Sequence, residues 1–87
     1  MNPDELSFEQ LCDLFGYLPK RRPLDPSEAA ELLSVHPSTL EGYRLRGGGG
    51  PRYFKPPKTR VVRYAERDLL VWLVANARRN TSEAVAA

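Results

Sequence analysis

Between Glu41 and Glu66 the chain carries Arg44, Arg46, Arg52, Lys55, Lys58, Arg60 and Arg63, and no carboxylate. Tyr43, Tyr53, Phe54 and Tyr64 are interleaved with them. Cations at this density neutralise phosphates and release their counterions, and aromatic rings can stack on bases. The surrounding charge sharpens the contrast. Residues 1 to 41 hold eight acids and three bases, a net of −5, whereas residues 42 to 63 hold seven bases and no acid. A chain of net charge +2 is therefore strongly dipolar. One concentrated basic segment suggests a polyanionic partner.

Other chemistries are poorly supplied. Cys12 is the one cysteine and His36 the one histidine. An intrachain disulfide is impossible, and a structural zinc site, which needs about four Cys or His ligands, is excluded. No paired acid and base stand in a recognisable catalytic setting, so no catalytic residue, metal or cofactor is assigned. No apolar run approaches the roughly 18 residues of a spanning helix. The start, MNPDELSFEQ, is acidic and lacks a long apolar core, so a secretory signal is not expected and a cytoplasmic location is.

The elements that position the basic residues follow from local signals. SFEQLCDLF, residues 7 to 15, reads as a helix opened by a Ser7–Gln10 capping box, with Phe8, Leu11, Cys12 and Phe15 on one face and Leu14 beside them. Gly16 stops it, and YLPKRRPLDP reads as an extended connector. Asp25-Pro26-Ser27-Glu28 is a second capping box with Pro at the first helical position; this helix ends near Ser34. Pro37 opens the next, with His36 or Ser38 near its cap and Gly47 as its stop. Leu40 and Tyr43 face inward at i, i+3 spacing. Ser38, Glu41, Gly42, Leu45 and Arg46 then face outward, with Thr39 and Arg44 at the rims. RYFK and RVVRY, separated by PPKT, are β-rich and read as a two-stranded hairpin. AERDLLVWLVANARR reads as the longest helix, acidic in its first turn and basic in its last.

The order is an accessory helix, then helix, helix, hairpin, helix. DPSEAAELLSVHPSTLEGYRLRG, then PRYFK, then RVVRYAERDLLVWL resembles the excisionase-like, MerR-like family of small DNA-binding domains, over about residues 24 to 76. The resemblance is carried by the EAAELL helix, the V-x-PSTL turn, the aromatic three residues after that Leu, the Gly stop, and the hairpin running into a DL-x-x-WL helix. It implies a mainly α fold with a two-stranded β-hairpin wing, a winged helix-turn-helix. Residues 1–23 would be an accessory helix and connector, 24–79 the DNA-binding domain and 80–87 a flexible tail. It also implies that the second helix of the pair enters the major groove and that the wing lies along the adjacent minor groove or backbone.

On that reading the recognition-helix contacts are Ser38, Thr39, Glu41, Gly42, Arg44 and Arg46, and the wing contacts are Arg52, Lys55, Lys58, Thr59, Arg60 and Arg63. Relatives often carry basic residues near positions 41 and 42, where this chain has Glu41 and Gly42. Members of the family include recombination directionality factors, which bend or coat DNA beside an integrase, and AlpA-like regulators; they carry no catalytic centre. The expected function is thus a DNA-binding excisionase that self-associates on double-stranded DNA and directs a site-specific integrase. The alternatives are a small transcriptional regulator, or a protein-binding adaptor that uses the basic hairpin.

GGGG lacks the flanking residues of a phosphate-binding loop and reads as a helix stop followed by a pliant link. Tyr53, Phe54, Tyr64 and Trp72 are expected mostly in the core. Phe8, Leu11, Leu14 and Phe15 form an apolar face with three destinations: back onto the domain, onto a second protomer, or onto the integrase.

Overall fold

The computed structural model of the chain describes residues 5 to 86, with side chains as far as Asn76. Four helices form in the order α1 (Phe8–Phe15), α2 (Pro26–Leu33), α3 (Pro37–Arg46) and α4 (Glu66–Ala86). Their starts are set by local chemistry. At α1, the Gln10 N–H donates to Ser7 Oγ at 3.1 Å and the Ser7 N–H donates to Gln10 Oε1 at 2.8 Å. At α2, Asp25 and Glu28 make the same reciprocal pair behind Pro26. At α3 the cap is His36, whose Nδ1 accepts from the Ser38 N–H at 3.1 Å. Each box satisfies helix-end N–H groups that would otherwise lack partners. Gly16, Ser34 and Gly47 end α1, α2 and α3 in the left-handed region. α4 continues past Arg79, so the backbone of residues 80 to 86, expected as a flexible tail, is helical.

α4 serves two apolar clusters. Leu69 packs with Leu24, Ala29, Ala30, Leu33, Leu40 and Tyr64, while Leu70 and Val74 pack with Leu11 and Cys12. Burying each such leucine contributes about 1.5–3 kcal/mol. The second cluster settles the fate of α1, which folds back onto α4. Burial holds the Cys12 thiol above its ordinary value, the unreactive direction.

Glu66 fastens the connector to the start of α4. Its carboxylate accepts from Tyr17 Oη, from the Lys20 N–H at 2.9 Å and from the Arg21 N–H at 2.9 Å. Arg21 stands at φ 57, which turns successive N–H groups toward one anion. Burial disfavours the Glu66 anion, yet these donors outweigh it and hold the carboxyl below its ordinary value. The Tyr17 phenol is pushed far up, by burial and then by its bond to Glu66.

The two-stranded wing expected from RYFK and RVVRY is not present, and no sheet forms among the described residues. Two isolated antiparallel bridges stand in its place, Phe54 with Arg63 and Leu24 with Tyr64. The register explains why. Pairing Phe54 with Arg63 sets Pro56 opposite Val61 and Arg52 opposite Ala65. Pro56 has no N–H to donate. Ala65 already turns into α4, its carbonyl accepting from the Leu69 N–H at 3.2 Å. Tyr64, whose backbone groups point away from the arm, exchanges hydrogen bonds with Leu24 in the connector, at 2.9 Å in both directions. The fold class is therefore four helices with an irregular arm, not a winged helix-turn-helix.

Candidate nucleic-acid interface

α2 and α3 are joined by Ser34, Val35 and His36, and Leu40 is wholly buried between them and α4. That burial fixes which side of α3 faces out. Ser38, Thr39, Glu41, Leu45 and Arg46 are exposed; Gly42 and Arg44 are half-buried. Arg44 is held at the core edge, donating from Nη1 to Tyr64 Oη at 2.7 Å. The Arg46 guanidinium lies 5.1 Å from the Tyr43 ring centroid. A Cβ on Gly42 would meet Arg46 Nη1 at 3.1 Å, a contact that a small shift of the long arginine side chain relieves.

The glycine run is a packed loop rather than a pliant link. Gly49, at φ 88, presents its carbonyl to the Trp72 Nε1–H at 3.2 Å. Trp72 meets Tyr43 edge-on with ring centroids 5.8 Å apart. A Cβ on Gly50 would sit 2.5 Å from Tyr43 Cβ, so no larger residue fits there without movement. Gly48 has open space around it. The loop thus ties the arm that follows it to both α3 and α4.

The arm runs from Arg52 to Arg63. Its tip is a turn in which the Thr59 N–H and Oγ1 both donate to the Pro56 carbonyl, at 3.3 and 2.8 Å. Pro57 holds the second position and Lys58, at φ 63, the third, the pattern of a type II turn. Lys58 is in a conformation that glycine or asparagine usually supplies, with its side chain exposed at the tip. Arg52, Lys55, Thr59 and Arg60 are also exposed, and Arg63 is half-buried, donating to the Val62 carbonyl at 2.8 Å. Tyr64 is a core residue and Trp72 half-buried, but Tyr53 and Phe54 stand 44% and 40% exposed, against the expectation that they would be covered. A cleft joins arm to helix, lined by Arg44, Gly48, Gly50, Arg52, Tyr53 and Tyr64 among others.

Arg21 pairs with Glu9 and Arg22 with Glu28, both before α3. The second holds the Glu28 carboxyl down to about 2, through the Arg22 bond first and then the Asp25 N–H. None of the seven cations between Arg44 and Arg63 has a carboxylate partner among the described residues.

Of the apolar face on α1, Leu11 is wholly buried within the chain and is unavailable to a partner. Phe8 is half-buried, with the Arg21 guanidinium 5.9 Å from its ring centroid. Leu14 and Phe15 remain exposed. Leu18, not singled out from the spacing, is exposed as well, as is Leu45, expected to face outward.

No group of three or more His, Cys, Asp or Glu residues suited to a metal occurs among the described residues. No described helix is long and apolar enough to cross a membrane. Compared with protein-family models, curated proteins and solved structures, the chain has no match in any of the three. The resemblance noted above rests on its motifs alone.

Proposed function

We propose that this protein binds double-stranded DNA through the outer face of α3 and the arm from Arg52 to Arg63. The observation that carries the reading is the set of seven cations without a carboxylate partner among the described residues. An ordinary solvated surface mixes its signs; seven cations against the single acid Glu41 on α3 and the arm fit a phosphate backbone. Arg52, Lys55, Lys58, Arg60 and Arg63 supply phosphate contacts, and the Thr59 hydroxyl adds a polar one. On α3, Ser38, Thr39 and Arg46 reach base edges or phosphates, Glu41 selects cytosine N4, and Leu45 suits a thymine methyl.

The narrower form of the proposal takes its support from the ordered motifs. The protein acts beside a site-specific integrase, associating with further copies along bent DNA and directing excision of a mobile element. A reconstituted excision reaction, with the integrase and its attachment sites, tests that form.

The DNA reading itself is tested with random-sequence duplex across a salt series. The expected log–log slope is about −3 to −6, and Lys58→Ala/Arg60→Ala should flatten it by roughly 1.8, since each lost phosphate contact contributes about 0.9. Absence of binding at micromolar protein and about 50 mM salt, where non-specific DNA affinity is strong, would overturn it. The arm would then be a protein-binding surface.

A further inference from the structure

The cleft between α3 and the arm differs in kind from the charged surface around it. Its volume is about 300 Å³, at the lower end of the range for small-ligand pockets. Leu40, Pro51 and Tyr64, all buried, form its floor. Gly47 and Gly48 form part of its wall. A Cβ built on either meets no atom within 4 Å, so this stretch of wall is backbone with open space before it. Tyr53 stands at the lip, 44% exposed, with its ring centroid 6.1 Å from that of Tyr64.

The lining is cationic. Arg44 and Arg52 belong to it and no Asp or Glu does; Glu41, the acid of α3, lies outside it. Arg44 is half-buried, and Tyr64 Oη is the acceptor that its guanidinium finds among the described residues. A phenol hydroxyl does not neutralise a cation. Taking a cation partly out of water costs free energy that a nearby anion offsets, and the arginine fork keeps further N–H donors to offer one. The cleft therefore suits a ligand that is both anionic and flat. A stacked duplex supplies phosphates but hides the faces of its bases, so it leaves the Tyr53 ring without a partner. An unstacked nucleotide supplies a phosphate and a π-face together.

We infer that this cleft takes one unstacked nucleotide of a DNA strand, a base turned out of a kinked or interrupted duplex. The base lies on the Tyr53 ring, along the side-chain-free wall of Gly47 and Gly48, and its phosphate accepts from Arg44 and Arg52. Turning a base out costs least where the stack is already broken, so the cleft favours bulged, mismatched or sharply bent DNA. The inference rests on the DNA reading above and narrows its substrate to duplex with an interrupted stack. A free nucleotide has the same chemistry. The strand is the better occupant because exposed cations flank the cleft on both sides, Arg46 on α3 and Lys55, Lys58 and Arg60 on the arm, where a continuing backbone meets them.

The test is fluorescence anisotropy of the full chain with three labelled DNAs of one sequence: a short plain duplex, the same duplex with one extra unpaired thymidine, and the same duplex with an abasic residue in place of that thymidine. The abasic DNA keeps the broken stack and the added phosphate but has no base. The thymidine bulge is expected to bind about 5- to 150-fold tighter than the abasic one, the ratio that stacking one base on an aromatic side chain gives. Tyr53→Ala, at an exposed position, should bring that ratio to about one while the plain duplex keeps its affinity and salt slope, and Tyr53→Phe should preserve the ratio. Equal affinity for the bulged and abasic DNAs, or a ratio that survives Tyr53→Ala, would overturn the inference while leaving duplex binding in place. Failure of all three DNAs to bind would overturn the DNA reading and this inference with it. Displacement of the bulged DNA by an equal concentration of free thymidine monophosphate would overturn the strand as occupant and give the cleft to a soluble nucleotide.

Discussion

Replacing Gly50 by alanine should loosen the whole interface, whereas the same change at Gly48 should not. The new methyl at Gly50 would lie 2.5 Å from Tyr43 Cβ, 2.7 Å from Cγ and 3.0 Å from Cδ2. Carbon atoms in ordinary contact stand about 3.5–4.0 Å apart, so roughly 1 Å must be found. The clash is with the root of the Tyr43 side chain, which cannot swing away without moving α3. The ring itself is held edge-on to Trp72. Overpacking of this kind costs about 1–3 kcal/mol. The lower entropy of an unfolded chain with alanine returns about 0.4–1 kcal/mol. A net loss of about 1–2 kcal/mol remains, and at roughly 4–8 °C per kcal/mol for a domain of this size Tm should fall by about 5–15 °C. Gly48 has no atom within 4 Å of the corresponding methyl and no positive φ, so Gly48→Ala should leave Tm unchanged or raise it slightly. Thermal unfolding followed by circular dichroism, and by fluorescence of the sole tryptophan, reads both. Equal Tm values for the two variants would refute the packed-loop reasoning and return the run to a pliant spacer.

Three further outcomes follow from the geometry. Glu66→Gln removes the anion that Tyr17, Lys20 and Arg21 address, and should destabilise by about 2 kcal/mol or more, because charge-assisted bonds contribute about 1.5–3 kcal/mol each. The folded-state value of Glu66 lies below its unfolded one. Its contribution is therefore present above the ordinary carboxyl range and lost as pH falls through the lower folded value; urea unfolding at stepped pH should show a shallower acid decline in the variant. Lys58→Gly relieves a left-handed lysine that costs about 1–2 kcal/mol, so Tm should rise while DNA affinity falls, separating stability from binding in one variant. His36→Ala removes the α3 cap and should cost about 1 kcal/mol in urea unfolding; no change would mean that water replaces the imidazole.

What the sequence by itself determined lies within a few residues of each signal. Ser7 with Gln10, Asp25 with Glu28, and Pro37 with Gly47 act over three to ten positions, and the helices they delimit form where the pattern sets them. The one-signed run from Arg44 to Arg63 is likewise a property of the string, and its lack of acid partners follows from the absence of acids nearby. The tertiary structure decided the rest, because those outcomes depend on competition between distant groups. The β-rich arms pair at one position only, since Pro56 cannot donate and Ala65 already turns into α4. Pro56 was visible in the sequence; the register that sets it opposite Val61 was not. Glu66 reads as a dipole-favouring first-turn acid, yet it is the anchor for a connector more than forty residues earlier. The glycine run looks flexible in one dimension because glycine imposes nothing locally; Tyr43 and Trp72 closing around it make it rigid. And α1 had three open destinations until Leu11 met Leu70, which left Leu14 and Phe15 beside a groove that no spacing rule could have drawn.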